Sequence, residues 1–190
     1  MEINNLFGLP AHPLLVHAPI VLVPLCFIAA IFMAIKPEWR RRYGIPTAVL
    51  AAVAAVSVQL AIGSGEELEH RVRESNLIEK HSQIAETARP FVFLFALGLI
   101  GIAVWDFLQR RKAAAATTDG AEIDTAAAEK SAKASKLVSV AMVVTVLLGG
   151  VATYEIVQTG HSGAKATWHD TPAKKAGGEG EEREEGGDRD

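Results

Sequence analysis

Four long apolar blocks, separated by short charged stretches, restrict this chain more than any other feature. They run over residues 14–35, 46–63, 90–108 and 137–157, and none carries a Lys or Arg in its middle. A helix crossing roughly 30 Å of hydrocarbon needs about 20 predominantly apolar residues. Three blocks reach that length comfortably and the second is near the short limit. Lipid offers no hydrogen bonds to the backbone, so apolar blocks of this length are expected as helices. The expected fold is an all-α, integral membrane four-helix bundle. The first block is not expected to be a signal peptide, because residues 1–13 contain no Lys or Arg.

Three consecutive arginines, Arg40, Arg41 and Arg42, stand between Trp39 and Tyr43 after the first block. Arg110, Arg111 and Lys112 follow Trp105 and Phe107 after the third. Such basic and aromatic clusters mark a cytoplasmic membrane interface. With Lys36, Lys130, Lys133 and Lys136, ten cations fall on that side. Five (Arg71, Arg73, Lys80, Arg89 and Lys165) lie near the other ends of the spans. The bias predicts both termini outside, N-out and C-out.

Pro13 stands just before the first block, and Pro19 and Pro24 lie within it. Pro13 suits a first helical turn, whereas Pro19 and Pro24 each remove a backbone hydrogen bond. The first helix should therefore be bent or irregular, with its outer half packed inside the bundle to cover the freed carbonyls. The second block is rich in alanine (Ala48, Ala51, Ala52, Ala54, Ala55, Ala61), which permits close helix approach in a membrane. Leu77, His81, Ile84 and Ala88 share one helical face, on a short outer amphipathic helix or an extension of the third span. Residues 113–135 read as a flexible cytoplasmic linker of helix-friendly composition, and 170–190 as a disordered acidic tail. The membrane domain is then residues 1–169.

In this topology all six histidines, His12, His17, His70, His81, His161 and His169, collect at the outer face. Neutral imidazole binds haem iron, copper and zinc, and bundles build such sites from facing helices. His17, at the start of the first span, and His81, on an apolar stripe, are the leading candidate ligands. His12 and His161 come next, while His70 and His169 read as solvated. His12 and His17 are not spaced i, i+4 and Pro13 intervenes, so they are not a zinc-binding helical pair. The bland alternative is that these rings bond water, headgroups or helix-end carbonyls. There is no Cys-x-x-Cys-His, so a haem would be non-covalent, b-type, and held by two histidines.

Glu155 is a candidate partner for a histidine, and Arg71 and Arg73 are candidates for a propionate or lipid phosphate. Ser162 reads as part of a Ser-Gly loop rather than a nucleophile. Cys26, the single cysteine, reads as a packing residue. No phosphate loop, Gly-x-Ser-x-Gly elbow or His-Glu-x-x-His is present, so the chain does not point to an enzyme. A net charge of −3 and a pI near 6.1 do not suggest nucleic-acid binding.

The opening stretch from Gly8 to Leu25, GLPAHPLLVHAPIVLVPL, resembles the start of a bacterial family of small four-span membrane proteins, a membrane domain of unknown function. That family opens with a His-Pro-x-x-Val-His-x-Pro-like motif, matched here by His12, Pro13, His17 and Pro19. Ala18 stands where relatives often carry an aromatic. The His81 region and the stretch LGGVATYEIVQTGHSGAKATW support the resemblance, which covers residues 6–169. Relatives are joined to or near cytochrome c or Rieske-type modules, an association that implies membrane electron transfer.

Three functions follow as alternatives. One is a b-type haem protein of the outer face that exchanges electrons with a partner. Another is a cofactor-free accessory subunit, and the third a copper- or zinc-binding protein. The implied surroundings are the lipid bilayer of a bacterial inner membrane, a redox or other membrane protein, and a second copy of the chain.

Overall fold

The computed structural model describes residues 5–6, 9–72, 75–116 and 125–168. The architecture is a bundle of long helices. A two-residue strand β1 (Asn5–Leu6) pairs antiparallel with β2 (Leu9–Pro10), setting Asn5 opposite Pro10. Then come α1 (His12–Leu15), α2 (His17–Ile35), α3 (Pro37–Glu69), α4 (Asn76–Ala116) and α5 (Thr125–Trp168). The four long elements, counting α1 with α2, each carry an apolar stretch able to cross a membrane.

The break between α1 and α2 has a clear cause. Pro19 has no N–H to give the Leu15 carbonyl, so one rung of the helix is lost at Val16. The next bond, Ile20 N–H to Val16 O, is long at 3.4 Å. The expected irregularity of the first span is thus concentrated near its start. The expectation that its outer half is packed away holds only for one side: Pro19 is buried, while Leu14, Ile20 and Val21 remain exposed.

At the other end of α2 the chain reverses through a single residue. Lys36 is extended, with φ −122° and ψ 99°, and Pro37 opens α3. The residue before a proline is pushed out of the helical region, and proline itself suits the first helical position. So Trp39 to Tyr43, the basic and aromatic cluster, forms the first turns of α3.

Pro46 and Pro90, which open two of the apolar blocks, lie inside longer helices, α3 and α4. The carbonyls they orphan lie near the ends of the apolar stretches, where water or neighbouring groups can serve them. The His81 stripe likewise belongs to α4 and is not a separate short helix. Ser75 starts that helix, its Oγ accepting the Leu77 N–H at 3.1 Å. Helix also enters the expected linker from both sides, through Ala116 and from Thr125. Residues 117–124 of that linker and the tail 170–190 lie outside the described residues.

The helices pack in a ring, α2 on α3, α3 on α4, α4 on α5, and α5 back on α2. Val23, Cys26, Ala30 and Met33 of α2 meet Ala51, Ala54, Ala55 and Val58 of α3 in the core. Val92, Phe95 and Leu99 of α4 and Met142, Ala152 and Ile156 of α5 complete it. Two glycines allow close approach. A Cβ on Gly98 would lie 2.5 Å from Thr145 Oγ1, and one on Gly149 would lie 2.7 Å from the Phe95 ring and 2.9 Å from that of Phe27. The bundle so formed has an arginine end, where α2 meets α3, and a histidine end.

Candidate functional site

At the histidine end, α1 packs against the last turns of α3. This puts the His12 ring against the stretch Ala61–Gly65. His12 Nδ1 lies 2.9 Å from the Ala61 carbonyl oxygen and 3.3 Å from Ser64 Oγ. Ser64 Oγ donates to that same carbonyl at 2.9 Å. A carbonyl only accepts, so His12 Nδ1 carries the proton and donates. Gly65 lies against the ring, where a Cβ would come within 2.9 Å of His12 Cε1.

The same arrangement recurs between α4 and α5. His81, in the second turn of α4, sets its Nδ1 3.0 Å from Ser162 Oγ. Ser162 Oγ donates to the Thr159 carbonyl at 2.9 Å. Its single proton is thereby used, and His81 Nδ1–H donates to it. Gly163 lies against the ring, where a Cβ would come within 3.0 Å of His81 Cε1.

The two rings meet across the end of the bundle. Their centroids are 6.2 Å apart and their planes cross at 81°. Both are half-buried, and neither Nε2 has a hydrogen-bond partner among the described residues. In its neutral form each ring so anchored through Nδ1–H has Nε2 as its bare nitrogen. This is the arrangement of metal-ligating histidines, whose second nitrogen donates to a carbonyl or similar acceptor. His81 precedes the apolar stretch 90–108. Burial first, and the neighbouring His12 second, hold its protonation below the ordinary imidazole range, against the opposing pull of the Thr159 carbonyl and Glu69.

The remaining candidates are placed apart from this pair. His17 falls just after the break at Val16 and is exposed. His161 and His70 are exposed as well, and His169 and Arg73 lie outside the described residues. Arg71 pairs with Glu67 at 2.7 Å, and both help line a small cavity of about 30 Å³ beside His12. Glu155 is half-buried on α5, with its backbone carbonyl accepting from Thr159 Oγ1 at 2.8 Å. No group of three or more His, Cys, Asp or Glu side chains is placed to hold a metal ion among the described residues.

Ser64, Gly65 and Gly163 did not stand out in the sequence, and Ser162, expected in a loop, lies within α5. A signal was present: Gly63-Ser64-Gly65 and His161-Ser162-Gly163 are near-twins at the corresponding ends of α3 and α5. It carries meaning only once the chain is seen as two consecutive helical hairpins.

No curated protein and no solved structure matches the chain. A family model of predicted membrane proteins, DUF2231, matches residues 8–171, from just before the His12 motif to just past the end of α5. The chain, a multi-pass helical membrane protein, belongs to this family.

Proposed function

We propose that this is a bacterial inner-membrane protein, with both termini outside, that holds one b-type haem between His12 and His81 and passes single electrons to or from a redox partner. The observation that carries this reading is the spacing of the two anchored rings. Two imidazoles on opposite sides of one metal, each bound at about 2.0–2.1 Å, have centroids about 6.3 Å apart. The pair here stands at 6.2 Å with crossed planes. Two nitrogen ligands and no more suit the axial positions of a haem, whereas a structural zinc site takes four protein ligands. Gly65 and Gly163 leave flat backbone against the rings. Arg71, which lines the small cavity beside His12, would have to exchange its Glu67 partner to meet a propionate.

A single copper ion is the second reading. It is favoured by the 6.2 Å spacing of the rings, which an ion can bridge without room for a macrocycle. Two neutral imidazoles are suitable copper ligands.

Haem and metal content per chain, measured on detergent-purified protein expressed with haem supplied, tests the proposal. Near-stoichiometric haem that falls away in His12→Ala and His81→Ala supports it. Stoichiometric copper without haem selects the second reading. Folded protein that binds neither overturns both and leaves an accessory subunit.

A further inference from the structure

The two histidines do not sit in unrelated surroundings. Each closes a helical hairpin in the same way. His12 enters the hairpin α2–α3 and is met by Ser64 and Gly65 at its exit. His81 enters the hairpin α4–α5 and is met by Ser162 and Gly163 at its exit. In both, the serine hydroxyl bonds back three residues along its own helix, to Ala61 and to Thr159. The next residue in both is a glycine, and the ring lies so close to it that a Cβ would crowd it. The two chain segments share only this pattern of Ser-Gly at the end of a helix. Four features coincide twice: a ring, a hydroxyl, a carbonyl one turn back and a bare backbone surface.

We infer that the chain is assembled from two equivalent half-sites, one per hairpin, and that Ser64 and Ser162 are positioning residues that fix both imidazoles as Nδ1–H tautomers, leaving both Nε2 lone pairs to one shared ligand. The chemistry requires such a device. A free neutral imidazole can place its proton on either nitrogen, and the wrong choice presents N–H where a metal needs a lone pair. A hydroxyl whose own proton is committed to a carbonyl can only accept, and so selects the tautomer. The Thr159 carbonyl acts on the His81 ring as well, but the direct contact of His81 Nδ1 is to Ser162 Oγ at 3.0 Å. His12 has a second lock, because the Ala61 carbonyl is only 2.9 Å from its Nδ1. The two half-sites should therefore differ in one respect: His81 depends on its serine more than His12 does.

This inference rests on His12 and His81 acting as a pair but not on what they bind, so it is tested in the ligand-free protein. The experiment is ¹⁵N NMR of the histidine rings in full-length protein labelled at histidine, in detergent at a pH where both rings are neutral. His12→Gln and His81→Gln assign the signals. In the wild type, both rings should show one protonated and one bare nitrogen, with the proton on Nδ1. Ser162→Ala should move the His81 pair of signals towards the average of the two tautomers. Ser162→Thr, which keeps the hydroxyl, should restore the wild-type pattern. Ser64→Ala should shift His12 by a smaller amount. Circular dichroism of each variant confirms that the bundle is intact. A wild-type His81 with its proton on Nε2, or a His81 signal unmoved in folded Ser162→Ala, overturns the inference. If the tautomers are as expected but the protein takes up neither haem nor copper, the ligand assignment fails and the positioning role stands.

Discussion

The two ends of the bundle hold polar groups in opposite ways. At the arginine end most of the cations have a partner. Arg40 Nε donates to Asp106 at 2.7 Å, with its Nη2 3.4 Å from the other carboxylate oxygen. The two side chains are only 18% and 13% exposed, so the pair is sheltered enough to count. Arg110 donates to the Arg41 carbonyl. Lys36, Arg42 and Arg111 lie over the rings of Trp39, Tyr43 and Phe107, and Phe32, Trp39 and Tyr43 form a continuous aromatic run. At the histidine end each ring is anchored through one nitrogen and left unmatched at the other. Neither Nε2 is a buried orphan, so each is open to water or to a ligand. On the proposed reading, the arginine end is structural and the histidine end is the site.

This contrast predicts a double dissociation. The largest effect should come from removing a ring. His12→Ala or His81→Ala should abolish stoichiometric ligand binding while thermal unfolding in detergent changes little. His17→Ala and His161→Ala, both at exposed positions, should bind as the wild type does. Haem or copper content per chain is the measurement. Next is Ser162→Ala. Loss of a group that orients a ligand typically lowers affinity 10–100-fold, so titration with haem or copper should show a loss of about that size. Ser64→Ala should cost less, because the Ala61 carbonyl still holds His12.

The opposite pattern is expected at the arginine end. Asp106→Ala leaves the Arg40 guanidinium sheltered without its partner, and should lower stability by about 1–3 kcal/mol. Ligand content should stay unchanged. Loss of ligand in this variant would show that the two ends are not independent. The smallest effect belongs to the middle of the bundle. Gly149→Ala forces a Cβ against Phe95 and Phe27, at a cost of about 1–3 kcal/mol from overpacking. The flexible ends of those rings can give way, so the lower part of that range is expected in a denaturation series.

The helical architecture was readable in the sequence because lipid imposes a length and a composition that few soluble segments share. Helix ends were less readable. The apolar blocks that open at Pro46 and Pro90 suggest starts there, yet α3 begins at Pro37 and α4 at Asn76. Hydropathy reports where the hydrocarbon begins and not where the hydrogen-bonded ladder does. The gathering of histidines was visible as a pattern, but the ring that faces His81 was not. His17 looked the better partner because it stands at the head of the apolar block. The lost rung at Val16 instead sets His12 on α1, against Ser64, and leaves His17 exposed. One missing N–H, at Pro19, makes that difference.

The account is tested most directly by the dithionite-reduced minus oxidised visible spectrum of the purified, haem-supplied protein, compared with those of His12→Ala and His81→Ala. Sharp reduced bands at near-stoichiometric haem, present in the wild type and in His17→Ala and absent from both pair variants, are the predicted result. A flat spectrum from folded wild-type protein, or bands that survive in His12→Ala or His81→Ala, would contradict it.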